Sequence, residues 1–300
     1  MAKRIASFSL LGVNIRIDAS WVLLALLIAW SLAAGVFPEL YAGLPQSTYW
    51  VMAAATVVGV AVSIILHELG HTLVARAFGL PIKSITLFVF GGVAEMDGEP
   101  KAPVAELLMG LAGPLVSVAL GLAFFYLGGV AEPAAPTEYH AVLHYLGMLN
   151  LTLAIFNMAP AFPLDGGRVL RAIVWLVTKD ALKATRIAAR SGEVIAIILM
   201  AAGFLSALGG AMGHGLWRIV LGWFILSMAS AHRKEAEARQ MLSGMRVGDF
   251  MTTTPVSAPA DMSIEDFVET VLARHPHDLV PVLGDGRVIG AAGLREAKQT

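Results

Sequence analysis

The chain has 300 residues, of which 57% are hydrophobic and 14% charged, with a mean hydropathy of +0.73; an ordinary soluble domain carries about 25% charged residues, so most of this chain is excluded from that class. A formal net charge of −1 gives no electrostatic ground for binding nucleic acid. Cysteine is absent, which excludes disulfides and thiolate metal sites and leaves His, Asp and Glu to hold any metal.

The opening stretch, MAKRIASFSLLGVNIRIDAS (1–20), does not read as a cleaved signal peptide. Val13, Ile15 and Ile17 alternate with Asn14, Arg16 and Asp18, which predicts a strand within 7–18. A membrane-crossing helix needs about 20 mostly apolar residues, and candidates follow at 20–37, 50–76, 104–128, 139–160, 192–208 and 215–231. The loops at 38–49, 129–138 and 209–214 contain no Lys or Arg, whereas the stretches on the other side do, among them Lys83, Lys101, Arg168, Lys179 and Arg233. The positive-inside rule then places both termini in the cytoplasm. Arg218 fits this pattern poorly, and the reading leaves it to snorkel or to pair inside the bundle.

At the end of the second span, HELGH (67–71) puts His67 and His71 on one helical face with Glu68 beside them. Two histidines at i and i+4 can share a Zn²⁺, with the Glu as general base for the attacking water. The stretch KSITLFVFGGVAEMDG (83–98) then reads as a hairpin: Ser84 to Phe90 outward, Gly91-Gly92 as the turn, Val93 to Met96 back. It is too short to cross twice as helix, so it dips into the membrane with an edge to which an extended substrate can pair, and Phe90, Gly91, Gly92 and Val93 are the candidate contact residues. In the third span, Gly110, Gly113 and Pro114 read as close-packing positions without chemistry, and Ser117 receives no role. His140 and His144, also four apart, read as interfacial or core residues.

A catalytic zinc takes three protein ligands and keeps one position open. Asp165, in FNMAPAFPLDGGRVLR (156–171), is the best third ligand, because Pro160 and Pro163 break the helix just before it on the HELGH side of the membrane. Broken backbone near lipid is tolerated only when buried in protein or lining a wet cavity. Taken in order, HELGH (67–71), GLAGPLVS (110–117) and NMAPAFPLDGGR (157–168) resemble the site-2 protease family of intramembrane zinc metalloproteases. The resemblance implies one zinc per chain on His67, His71 and Asp165, Glu68 as base, and Asn157 near the scissile carbonyl, where an amide can donate to a developing oxyanion. It also implies a re-entrant β-hairpin and, as substrates, single-span membrane proteins such as bacterial membrane-bound transcription regulators.

After a polar helical linker at 232–244 the composition becomes that of a small α/β unit. Ser263 with Asp266 forms a capping pattern, and LVPVLGDGRVIGAAG (279–293) reads as two strands joined at Gly284-Asp285-Gly286. Residues 245–300 resemble one CBS motif of the kind that binds adenine nucleotides in pairs. A single motif leaves two readings open: a second copy of the chain, giving a homodimer, or an incomplete tail.

The expected fold is therefore an α-helical integral membrane protein of about six spans with a membrane-associated hairpin or sheet. It divides into a metalloprotease domain at 1–231, a linker at 232–244 and a CBS-like unit at 245–300. The expected function is intramembrane zinc endopeptidase activity near the cytoplasmic face of a bacterial inner membrane, with lipid and a single-pass substrate as partners. A divalent-metal transporter using the same three residues, or an inactive regulator that binds membrane helices, are the rival readings.

Overall fold

The computed structural model describes residues 4–89, 91–96, 98–129, 138–242, 244–274 and 279–293. The chain divides into two compact units, Met1–Met241 and Leu242–Thr300.

In the first unit β1 (Arg4–Leu10) and β2 (Val13–Asp18) form an antiparallel hairpin. Asp18 ends β2 and caps the next helix, accepting from the Ser20 N–H at 2.9 Å and from its hydroxyl at 2.6 Å. That helix runs from Ala19 to Leu40, as α1 (Ala19–Ser31), a π-helical turn and α2 (Phe37–Leu40). α3 (Gln46–Ala77) is continuous for 32 residues. β3 (Ile82–Phe88) and β4 (Gly91–Met96) follow, then α4 (Pro103–Leu127) and α5 (Glu138–Asn157). α6 (Asp165–Thr178), α7 (Ala181–Leu208) and α8 (Met212–Leu242) complete the unit.

The N-terminal strands and the hairpin form one sheet. Its order is β1-β2-β3-β4, with β2 parallel to β3 and the other pairs antiparallel. Val13, Ile15, Ile85 and Leu87 form its buried face, the alternation expected of a sheet packed on one side. Arg76, near the end of α3, donates to the carbonyls of Leu11 at 2.6 Å and Gly12 at 2.9 Å, tying the β1–β2 turn to that helix. One detail differs from the sequence reading: the return strand already begins at Gly91, so the two glycines belong to β4 rather than to the turn.

Among the described residues, five helices are long and apolar enough to cross a membrane: Ala19–Leu40, Gln46–Ala77, Pro103–Leu127, Glu138–Asn157 and Ala181–Leu208. Their outward faces are apolar, with Leu26, Val51, Leu122, Ile155 and Leu205 each more than half exposed. Inside, packing relies on small residues and a few polar contacts, as helices do when lipid removes the hydrophobic drive for association. Every fourth residue of one α7 face, Ala184, Ala188, Gly192 and Ala196, is buried. Between α5 and α3, the Asn150 amide donates to Ser63 Oγ at 3.0 Å. The fifth expected span extends back to Ala181, through a basic segment that the apolar window excluded. The sixth, 215–231, lies in the single helix α8, where Arg218 donates to Ser206 Oγ at 2.6 Å. Arg218 is exposed, so it pairs at the surface rather than inside the bundle.

At one end of the unit Arg171 of α6 joins three elements. It donates to Glu106 of α4 at 2.6 Å, to Glu99 at 3.3 Å and to Thr185 of α7 at 2.8 Å. Glu106 is buried, and a buried carboxylate persists only when paired in this way.

The second unit has α9 (Val247–Phe250), β5 (Ala258–Pro259), α10 (Ile264–Asp266) running into a π-helical turn, β6 (Val280–Gly284) and β7 (Arg287–Ala292). Ser263 caps α10, accepting from the Asp266 N–H at 3.1 Å. The β6–β7 turn places Asp285 and Gly286 at φ of 50° and 76°, which suits a primed hairpin turn. Ala258, Phe267, Val271 and Val280 form its core. His275 and His277 lie outside the described residues.

Candidate active site

His67 and His71 sit one turn apart on α3, both buried, with their Nε2 atoms 3.2 Å apart. Asp165 is the first residue of α6. Leu164 before it is extended, and the chain between α5 and α6 carries the cis Phe162–Pro163 bond. This broken segment delivers the carboxylate to the histidines: Oδ2 lies 3.2 Å from His67 Nε2 and Oδ1 lies 3.3 Å from His71 Nε2. Among the described residues these three form the group of His, Asp and Glu close enough to share one ion. His144, by contrast, packs edge-on against Phe125 at 4.8 Å.

The far side of each imidazole shows what the near side wants. His71 Nδ1 lies 2.6 Å from the Met109 carbonyl, which can only accept, so Nδ1 carries the proton. His67 Nδ1 lies 2.8 Å from Ser117 Oγ. A neutral ring protonated at Nδ1 turns a bare lone pair outward at Nε2. With Ser117 accepting from His67 in the same way, two such lone pairs and a carboxylate converge with no hydrogen to share, an arrangement that calls for a cation. The spacing fits zinc, since two ligand atoms each about 2.0–2.1 Å from one tetrahedral ion lie roughly 3.3 Å apart. A His₂-carboxylate set also leaves the fourth position open.

Beside this group is a cavity of about 240 Å³ lined by His67, Glu68, Gly91, Gly92, Asn157 and Asp165. The sequence-selected residues thus come together from α3, β4, α5 and α6. β4 passes so close to the helix that a Cβ on Gly92 would lie 2.7 Å from Glu68 Cγ and 2.9 Å from its Oε1. Gly91 has φ of 119°, a left-handed conformation that suits glycine. These constraints explain why the glycines lie within the strand. Phe90 falls outside the described residues, and for Val93 only the backbone is described, paired with Thr86.

Two features were missed from sequence. Leu221, Phe224, Ile225 and Met228 of α8 wall the cavity, closing it with an apolar face. Ser117 and the Met109 carbonyl hold the histidines. The four-residue spacing Met109, Gly113, Ser117 on α4 was the available signal, since it matches the spacing of the histidines it meets.

Known proteins resemble this chain. The model of peptidase family M50 matches residues 55–134 and 129–201, and that of the CBS domain matches 247–297. Rip3 of Mycobacterium tuberculosis (strain ATCC 25618 / H37Rv) is 36% identical over 289 residues, covering 94% of this chain and 72% of that protein. Zinc metalloprotease MJ0392 of Methanocaldococcus jannaschii is 33% identical over 288 residues, covering 96% of this chain and 77% of its own length. The solved site-2 protease from Methanocaldococcus jannaschii superposes with a TM-score of 0.53 at 32% identity, over 78% of this chain and 95% of that one. On the strength of this identity, carried across the membrane helices and the tail alike, the chain belongs to peptidase family M50, the site-2 protease family of multi-pass membrane metalloproteases.

Proposed function

We propose that this protein cuts single-span membrane proteins near the cytoplasmic face of a bacterial inner membrane, releasing a substrate such as a membrane-bound transcription regulator. The observation that carries the reading is the convergence of His67, His71 and Asp165 beside Glu68 in one walled cavity. His67 Nε2, His71 Nε2 and one Asp165 oxygen would hold the zinc. Bound there, the ion supplies Lewis acidity and a water whose pKa falls to about 7. Glu68 takes the proton of the attacking water at a carboxylate oxygen and returns it to the leaving amine nitrogen. Asn157, at the end of α5 and on the cavity wall, would donate its amide to the developing oxyanion.

The substrate reaches this chemistry as an extended strand on the free edge of β4, because a helix keeps its peptide bonds inside its own hydrogen-bond ladder. Gly91, Gly92, Val93 and Phe90 make the contact. Residues 1–231 form the protease, 232–244 the linker, and 245–300 a regulatory unit that takes an adenine nucleotide when paired with a second copy. Both termini face the cytoplasm. The cysteine-free chain lets single introduced cysteines report that sidedness, and labelling of either terminus from the outer face would refute it.

The decisive experiment is Glu68→Gln. The variant should keep one zinc per chain and lose cleavage of a reconstituted single-span substrate by at least a hundredfold, the lower range for general-base removal. Cutting at the wild-type rate would exclude Glu68 as the base. Zinc flux in proteoliposomes, unaffected by the same change, would instead favour a transit site.

A further inference from the structure

α4 presents Met109, Gly113 and Ser117 at four-residue spacing, so the three lie along one stripe. α3 presents His71 and His67 in the opposite sense. The Met109 carbonyl meets His71 Nδ1 at 2.6 Å and Ser117 Oγ meets His67 Nδ1 at 2.8 Å. Between them lies Gly113, where an added Cβ would run into the Nε2 atoms of both histidines. Met109, Gly113 and Ser117 are all buried, with Ser117 fully enclosed. The α4 backbone thus lies directly behind the metal-facing nitrogens, and each imidazole is held from its far side.

We propose that this stripe is the template that sets the metal-binding form of both histidines, with Ser117 as the positioning residue for His67. The inference rests on the reading of His67, His71 and Asp165 as zinc ligands. A backbone carbonyl can only accept, so His71 is fixed by the fold itself. A hydroxyl can accept or donate, so His67 is the ring whose state the side chain decides. When Ser117 Oγ accepts from Nδ1–H, Nε2 keeps its lone pair for the cation and the ring stays aligned with Asp165. Without that oxygen, the buried ring is free to protonate at Nε2 and donate to the carboxylate 3.2 Å away, which removes a ligand and blocks another. Partners of this kind are worth about 10–100-fold in metal affinity.

The test uses the full-length chain in detergent, stripped of metal and titrated with zinc against a chromophoric chelator, then with Co²⁺ for its visible d–d bands. Ser117→Ala should bind zinc 10–100-fold more weakly and show altered Co²⁺ bands, while its metal-free melting temperature stays near wild type. Ser117→Thr, which keeps the oxygen, should restore both. Wild-type affinity and bands in the Ala variant would overturn the inference, as would a Thr variant that binds no better than Ala. Failure of the wild-type chain to take up either ion would sink the ligand reading itself, a separate result read in the same titration.

Discussion

Gly92 and Glu68 show how much depends on one absent methyl. Alanine at 92 would put a carbon 2.7 Å from Glu68 Cγ, where ordinary van der Waals contact begins at 3.4 Å, so the strand or the base must move apart by the difference. A misplacement approaching 1 Å at a reacting centre can cost roughly a hundredfold in rate. Gly92→Ala should therefore cut cleavage by up to about that factor while leaving zinc content unchanged. Unchanged cleavage would show that β4 does not sit against the base during turnover. Most of the site was legible at this scale because its chemistry is written locally. HELGH repeats at one helical turn, and Asp165 stands where two prolines forbid the preceding helix to continue. Ser117 was harder to read: its four-residue spacing from Met109 and Gly113 marks one helical face, but nothing local names the ring it meets fifty positions away.

Among the elements, the sheet was harder to read than the helices. The strand alternation at 13–18 gave its existence, but the parallel pairing of β2 with β3 depends on α3 returning the chain to the same level. The limits of the last spans were blurred for a different reason. α7 starts in a basic, Ala-rich segment whose buried stripe is made of small residues, so hydropathy understates its packing. α8 continues through His232, Arg233 and Lys234 without a break, and there the Arg233 guanidinium pairs with Glu193 at 2.8 Å and Glu237 at 3.0 Å. The edge position of β4 makes a prediction at this scale. On a strand edge a slip of one residue turns every side chain to the wrong face, whereas a slip of two, about 6.6 Å, restores the pattern. Minor cuts in a permissive substrate should therefore fall two residues from the main one, as mass spectrometry of the products will read. Minor cuts one residue away would argue against pairing on that edge.

For the molecule as a whole, the open question is what the C-terminal CBS domain contributes to a membrane protease. If the tail takes an adenine nucleotide as proposed, the ligand should raise the melting temperature of the solubilised protein at millimolar concentration and change the cleavage rate in the same range. Absence of both heat and thermal shift in that titration would count against nucleotide regulation. Leu221, Phe224, Ile225 and Met228 form a wall of the cavity, and the same unbroken helix runs on to Leu242, where the second unit begins. From Met228 to Leu242 is about 21 Å of helix at 1.5 Å per residue. Over that length a helix is stiff, so a turn of α8 about its own axis would carry Leu221, Phe224, Ile225 and Met228 together and change the width of the cavity they wall.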